Sequence, residues 1–131
     1  MTEVHRLMAR VRKGIIAAWR TGKHEPLFDP ESVELLRKRI ASCASGDEIA
    51  ELDEDVREHS PARLRRPEVL APLPKESPFV PLPPQLLQQL PPLPRELRYV
   101  VLDRSLLIWD HHADLVVDIA RGLLDPALYR E

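Results

Sequence analysis

Glycine is scarce in this chain, with four residues among 131. Phosphate-binding loops need several closely spaced glycines, so the chain is poorly equipped to form one. Its single cysteine, Cys43, excludes an intramolecular disulfide and a cysteine-based zinc site. The longest apolar runs fall far short of the roughly 20 residues that a membrane-spanning helix needs. We therefore expect a soluble protein without a membrane span.

The composition nevertheless favours a folded core. Hydrophobic residues make up 44% of the chain and the formal net charge is −2, which differs from the highly charged chains that stay disordered. The first 20 residues are basic, but they lack the long apolar centre and small-residue cleavage site of a secretory signal. We therefore expect a cytoplasmic protein, formed by one small domain or by one domain with an extended segment.

Residues 1–60 carry the pattern of two or three helices. Apolar side chains over residues 1–24 recur at the three and four spacing of one helical face: Val4, Leu7, Met8, Val11, Ile15, Ala18 and Trp19. The other face is basic and includes Arg10, Arg12 and Lys13, giving residues 1–24 a net charge of +5. This face could meet phosphates, anionic lipid or an acidic protein surface, or it could pack beside an acidic helix of the same chain.

Two further helices are predicted over 29–46 and 47–58. Asp29 followed by Pro30 is a strong start signal, and Val33, Leu36, Ile40 and Cys43 or Ala44 form an apolar stripe. Asp47 is the predicted cap of the next helix, whose inward residues are Ile49, Leu52 and Val56. Residues 47–58 carry seven carboxylates against one arginine, a net charge of −6.

Residues 61–96 are predicted to form an extended strap. Eleven prolines between residues 61 and 94 block regular helix and central-strand pairing over most of this stretch. A short helix is possible at 84–90. Apolar side chains alternate with the prolines, so we expect the strap to lie on a surface of this protein or of a partner.

Residues 97–131 change to the pattern of an antiparallel meander. Three short runs rich in Val, Ile and Leu, namely 97–102, 106–109 and 115–119, are separated by polar turns. The middle run is apolar on both faces, so one face needs cover from helices or the strap. The sequence therefore predicts an α+β fold: N-terminal helices, a proline-rich strap and a C-terminal three-stranded antiparallel sheet.

Candidate chemistry is sparse. His111 and His112, flanked by Asp110 and Asp114, form the only local set that resembles metal ligands, although neighbouring residues rarely chelate one ion. Acid pairs such as Asp53 with Glu54 have no evident apolar pocket to raise a pKa, so a solvated helix face is the better interpretation. We predict a protein that is not an enzyme and uses no cofactor.

The C-terminal part resembles a known module. The stretches Leu90-Pro91-Pro92-Leu93-Pro94, Arg98-Tyr99-Val100-Val101, Leu106-Leu107-Ile108-Trp109-Asp110 and Val116-Val117-Asp118-Ile119 are similar to the proline-led three-strand module of RcnB-like small bacterial proteins. That resemblance implies a local mini-sheet after a proline-rich entry. It also implies a role in divalent-metal binding or homeostasis.

The residues themselves favour a non-catalytic protein-interaction module, such as a small inhibitor, adaptor or assembly factor. The expected partner is another protein or a larger assembly, with a homo-oligomer possible. Candidate contacts lie on the basic helix and the strap: Arg10, Arg12, Lys13, Trp19, Phe79, Leu86 and Leu87. One alternative is an RcnB-like metal protein. The other is nucleic-acid binding by the basic helix, which the sequence pI near 6.2 disfavours.

Overall fold

The computed structural model describes residues 28–62 and 65–129. The predicted basic helix at 1–24 lies outside these residues. The elements in chain order are helices α1 (Pro30–Ala41), α2 (Gly46–Glu58) and α3 (Pro84–Leu87), strands β1 (Leu97–Leu102), β2 (Ser105–Asp110) and β3 (Leu115–Ala120), and a 3₁₀ helix (Pro126–Tyr129). The strands form one antiparallel sheet in the order β1-β2-β3. The predicted α+β class is confirmed.

Helix α1 starts as the sequence predicts. The Asp29 carboxylate accepts a 2.7 Å hydrogen bond from the backbone N–H of Ser32, and Pro30 occupies the first turn, where its missing N–H costs nothing. Leu36 and Ile40 are buried on the predicted apolar stripe. The helix ends at Ala41, before the predicted limit at residue 46, because the chain turns at Ser42 to begin the next cap.

Helix α2 has a different cap from the one predicted. Ser45, rather than Asp47, is the N-cap: its hydroxyl accepts from the backbone N–H of Glu48. The Glu48 carboxylate in turn accepts from the Ser45 N–H, which completes a capping box. The helix therefore starts at Gly46. Its predicted inward residues Ile49, Leu52 and Val56 are all buried.

The meander has a tight first turn and an irregular second pairing. Leu102 pairs with Ser105 across Asp103 and Arg104, whose φ angles of 48° and 59° are those of a type I′ turn. This two-residue turn brings Ser105 into β2, one residue earlier than predicted. The β2–β3 register shifts between Ile108 and Trp109, as at a β-bulge.

The first part of the strap is bonded to the outer edge of β3. The Leu70 N–H donates to the Val116 carbonyl, and the Val116 N–H donates to the Ala71 carbonyl, each at 2.8 Å. Leu73 N–H donates to the Asp114 carboxylate, and the Arg121 guanidinium donates to the Pro67 carbonyl. Because an edge strand carries unpaired backbone groups, this contact covers part of an otherwise open sheet edge.

The later part of the strap reaches the start of β1. Its prolines and leucines pack near Leu97 and Tyr99, and α3 occupies one turn of the predicted 84–90 helix. Leu73, Leu86 and Leu90 are buried in the same core cluster as α1, α2 and the sheet. The strap thus lies on the protein's own core, and it supplies part of the cover that the apolar middle strand requires.

No helix among the described ranges has the length and apolar character needed to cross a bilayer.

Candidate functional site

An apolar groove of about 700 Å³ lies between the strap and the start of β1. Residues 80–82, 87–88 and 90–93 form most of its walls, and 97–99 contribute from the strand. Leucines, prolines, a valine and Tyr99 dominate this lining, while Gln88 and Arg98 are the polar exceptions apart from the tyrosine hydroxyl. A concave, mostly apolar surface with few polar groups has the usual character of a binding site.

A hydrogen bond from Tyr99 to the strap fixes one wall of the groove. The Tyr99 hydroxyl donates to the Pro91 carbonyl at 2.5 Å. Burial of the phenol raises the pKa of Tyr99, because the charged phenolate would lose its hydration. Pro91 is itself fully buried. The prolines here have restricted backbones, so we expect the groove to keep its shape in the free protein.

Aromatic side chains extend this surface across the sheet. Arg98, which lines the groove, pairs in register with Trp109 of β2. The Trp109 and Phe79 ring centroids lie 5.4 Å apart, with a tilt of 39° between the rings. The groove, Arg98, Trp109 and Phe79 are therefore neighbours, and we call this set the groove surface.

The predicted contact residues of the strap differ in exposure. Phe79 is 64% exposed and Leu87 is 49% exposed, whereas Leu86 is only 3% exposed. On the one-turn helix α3, Leu86 points into the core while Leu87 lines the groove. Leu86 therefore contributes to stability and is left out of the groove surface. The predicted contacts Arg10, Arg12, Lys13 and Trp19 lie outside the described residues.

The His111 and His112 rings are stacked with centroids 4.8 Å apart, and their neighbouring aspartates have other partners. Asp110 accepts from the N–H groups of His112 and Ala113, both at 3.0 Å. Asp114 accepts from the Trp109 indole N–H at 3.0 Å and from the Leu73 N–H. Within the described residues, no group of three His, Cys, Asp or Glu side chains is placed to hold a metal ion. The geometry gives no support to metal binding here.

A second, acidic pocket of about 600 Å³ lies beside α2. Its walls include Asp47, Glu51, Asp53 and Glu54 from the helix and residues 125–127 near the C-terminal end. The buried member of the acid pair considered above, Asp53, is held by Arg57 and Arg104 at 3.3 and 3.1 Å. Its partner Glu54 is exposed. Asp53 thus belongs to an ion-pair network that joins α2 to the β1–β2 turn, while Glu54 lies on the exposed helix face.

Sequence reasoning identified the strap residues but missed Arg98 and Trp109. The strand pattern could have placed them opposite each other, since the two-residue turn fixes the register. No sequence signal relates Trp109 to Phe79, because their contact depends on the path of the strap across the sheet.

Comparison of the chain with protein-family models, curated proteins and solved structures yields no match.

Proposed function

We propose that this protein is a non-catalytic interaction module that holds a segment of another protein on the groove surface. The observation that carries this proposal is the contrast within the strap. Phe79 and Leu87 are exposed although the neighbouring core residues Leu86 and Leu90 are buried. Exposed large apolar side chains beside an apolar groove are typical of an interaction site.

The anchoring of the strap supports a binding role. Backbone bonds to Val116 and the Tyr99–Pro91 hydrogen bond hold the strap at both edges of the sheet. A partner would therefore meet a surface that is already formed. Less conformational entropy is lost when such a surface binds than when a flexible one must first become ordered.

The use of buried polar side chains supports a non-catalytic role. Asp53 is held by two arginines, and Asp118 accepts hydrogen bonds from the backbone N–H groups of Phe28 and Ile119. Ser105 accepts from the Gly122 N–H. These groups satisfy backbone donors and ion pairs. Asp53 also lines the acidic pocket, but its carboxylate there is already paired with Arg57 and Arg104.

We keep the basic face of residues 1–24, with Arg10, Arg12, Lys13 and Trp19, as a proposed second contact. Its support is the net charge of +5 together with the apolar spacing. Because arginine and tryptophan dominate many interfaces when buried, these residues are the ones to substitute first.

Site-specific photocrosslinking tests the proposed module. The full chain carries p-benzoylphenylalanine in place of Phe79 or Leu87 in one set of cells, and in place of Leu128 in a matched set. Leu128 is 45% exposed but lies in the 3₁₀ helix, away from the groove lining. We expect a protein that is captured from positions 79 and 87 and not from position 128.

The captured protein must then bind in purified form. We expect L87E to raise its Kd at least about tenfold, which corresponds to about 1.4 kcal/mol, and L128E to leave the Kd unchanged. Equal effects of L87E and L128E, or capture from all three positions alike, would contradict the proposed function.

A further inference from the structure

The charges around the groove define the kind of segment that it fits. Among the described residues that line the groove, Arg98 is the only one with a charged side chain. It is exposed, and none of the ion pairs between described residues involves it. Over the described residues, the groove therefore presents a mostly apolar lining with one guanidinium that forms no ion pair.

A second arginine contacts the strap beside the groove lining. The Arg39 Nε donates to the Gln89 carbonyl at 3.2 Å, between groove residues Gln88 and Leu90. The lining residues that the structure describes include no carboxylate. Arg98 of β1 thus lines the groove, and Arg39 of α1 contacts the strap between two groove residues.

On the basis of the proposed function, we infer that the groove binds an apolar segment flanked by carboxylates. The apolar side chains of such a segment would replace water along residues 80–82 and 90–93, and a flanking Asp or Glu would pair with Arg98. A guanidinium binds a carboxylate through two parallel hydrogen bonds, which adds orientation as well as attraction. Charge complementarity of this kind mainly selects the partner and its register.

The same charges disfavour segments of this chain as the occupant. Residues 1–24 carry a net charge of +5, which the arginines at the groove would repel. The acidic segment 47–58 has the opposite charge, but its apolar residues Ile49, Leu52 and Val56 are buried in the core. Segment 47–58 of a second copy would therefore offer the groove no free apolar anchors.

A charge-swap selection tests this inference. A library of displayed dodecapeptides is selected in parallel on the full chain and on the full chain carrying R98E. We expect apolar peptides with Asp or Glu flanks from the first selection, and apolar peptides with Lys or Arg flanks from the second. Absence of an acidic bias, or the same bias on both proteins, would overturn the inference.

Affinity measurements on the best peptide separate the inference from the proposed function. We expect R98A to weaken binding about tenfold, L87E to abolish it and L128E to leave it unchanged. Binding that needs Leu87 but not Arg98 overturns the acidic-flank inference while the interaction module stands. Binding that needs neither residue contradicts both, and a library that yields no binder overturns the inference alone.

Two measurements on the free protein test whether a second copy, or residues 1–27 of the same chain, occupies the groove instead. A dimer in sedimentation velocity that L87E abolishes would assign the groove to a second copy and overturn the inference. In the second measurement, a spin label is attached at M8C in a C43A background. Broadening of the Leu82 and Leu87 methyl signals would assign the groove to residues 1–27 and also overturn the inference. We expect a monomer and unbroadened methyl signals.

Discussion

Asp53 joins three parts of the molecule through one carboxylate. Its Oδ2 lies 3.3 Å from Arg57 Nε on the same helix and 3.1 Å from Arg104 Nε in the β1–β2 turn. Arg104 also lies 3.6 Å from Asp125, near the C-terminal 3₁₀ helix. The carboxylate is nearly buried while both arginines are partly exposed, so solvent weakens the attraction without removing it.

We therefore expect D53N to lower the free energy of unfolding by about 1 to 2 kcal/mol, since a buried acceptor loses its charge beside two guanidinium groups. Urea unfolding at low salt measures the change. E54Q removes the same charge from an exposed neighbour and should change stability by less than about 0.5 kcal/mol. Equal losses in D53N and E54Q would mean that net helix charge, and not this ion pair, is responsible.

The two tyrosines predict an alkaline limit to stability. Burial raises the pKa of Tyr99, and it raises the pKa of Tyr129 to about 12. The Tyr99 hydroxyl donates to the Pro91 carbonyl and the Tyr129 hydroxyl to the Leu123 carbonyl, and a phenolate could donate neither bond. Because unfolded tyrosine ionises near pH 10, the stability that both groups contribute is complete below about pH 10. It is lost as the pH rises from there towards 12.

Absorbance of tyrosinate and circular dichroism, followed together through this pH range, provide the measurement. The chain has only these two tyrosines, so the absorbance signal has no other source. We expect ionisation to coincide with unfolding, and Y129F to move unfolding to higher pH than in the parent protein. Tyrosinate that forms near pH 10 while the dichroism stays constant would show that the phenols are accessible in the folded state.

At the scale of single elements, the start of α2 depends on a reciprocal cap. Ser45 and Glu48 each satisfy a backbone N–H of the other. We expect S45A to lower the free energy of unfolding by about 1 kcal/mol, as is typical for loss of an N-cap hydroxyl. S42A is the control, because Ser42 is an exposed serine three residues earlier whose hydroxyl donates to a carbonyl of α1. We expect S42A to have less than half this effect in the same denaturant titration. A larger loss in S42A than in S45A would contradict the assignment of the cap.

Local signals in the sequence predicted the elements well where one residue type determines the backbone. Asp29 with Pro30 placed the start of α1, and the run from Leu97 to Leu102 matched β1. The start of α2 was misplaced because Ser45 and Asp47 are both good caps, and only the reach of Glu48 back to Ser45 distinguishes them. The sequence predicts a β1–β2 turn that is one residue too long, because Asp103 and Arg104 adopt positive φ without the glycine that usually signals a type I′ turn.

The candidate site was less predictable because it depends on contacts between distant parts of the chain. Helical spacing alone could not tell that Leu86 is buried and Leu87 exposed, since a one-turn helix has no repeating face. Arg98 and Trp109 belong to the groove surface because the strap places Phe79 against Trp109, which pairs with Arg98 across the sheet. Strap placement is a tertiary property, and no local pattern in residues 61–96 determines it.

At the scale of the whole molecule, the stability of variants at Leu86 and Leu87 tests whether the strap packs into the core. We expect L86A to lower the free energy of unfolding by about 2 to 4 kcal/mol, because it leaves a cavity among buried side chains. L87A removes the same atoms from a half-exposed position and should cost less than about 1 kcal/mol. Denaturant unfolding of both variants gives the comparison. Similar small losses would mean that the strap lies loosely on the sheet, and the groove surface would then lose its rigid base.

The strap is anchored on both sides of one exposed tip. Lys75 and Glu76 are exposed in a turn closed by the Ser77 N–H and the Pro74 carbonyl, while residues 70–73 bond to β3 or its turn and Pro91 bonds to Tyr99. Limited trypsin digestion after Lys75 should therefore yield two fragments that co-elute under native conditions and separate only in denaturant. The chain can in this sense be divided into halves that complement each other.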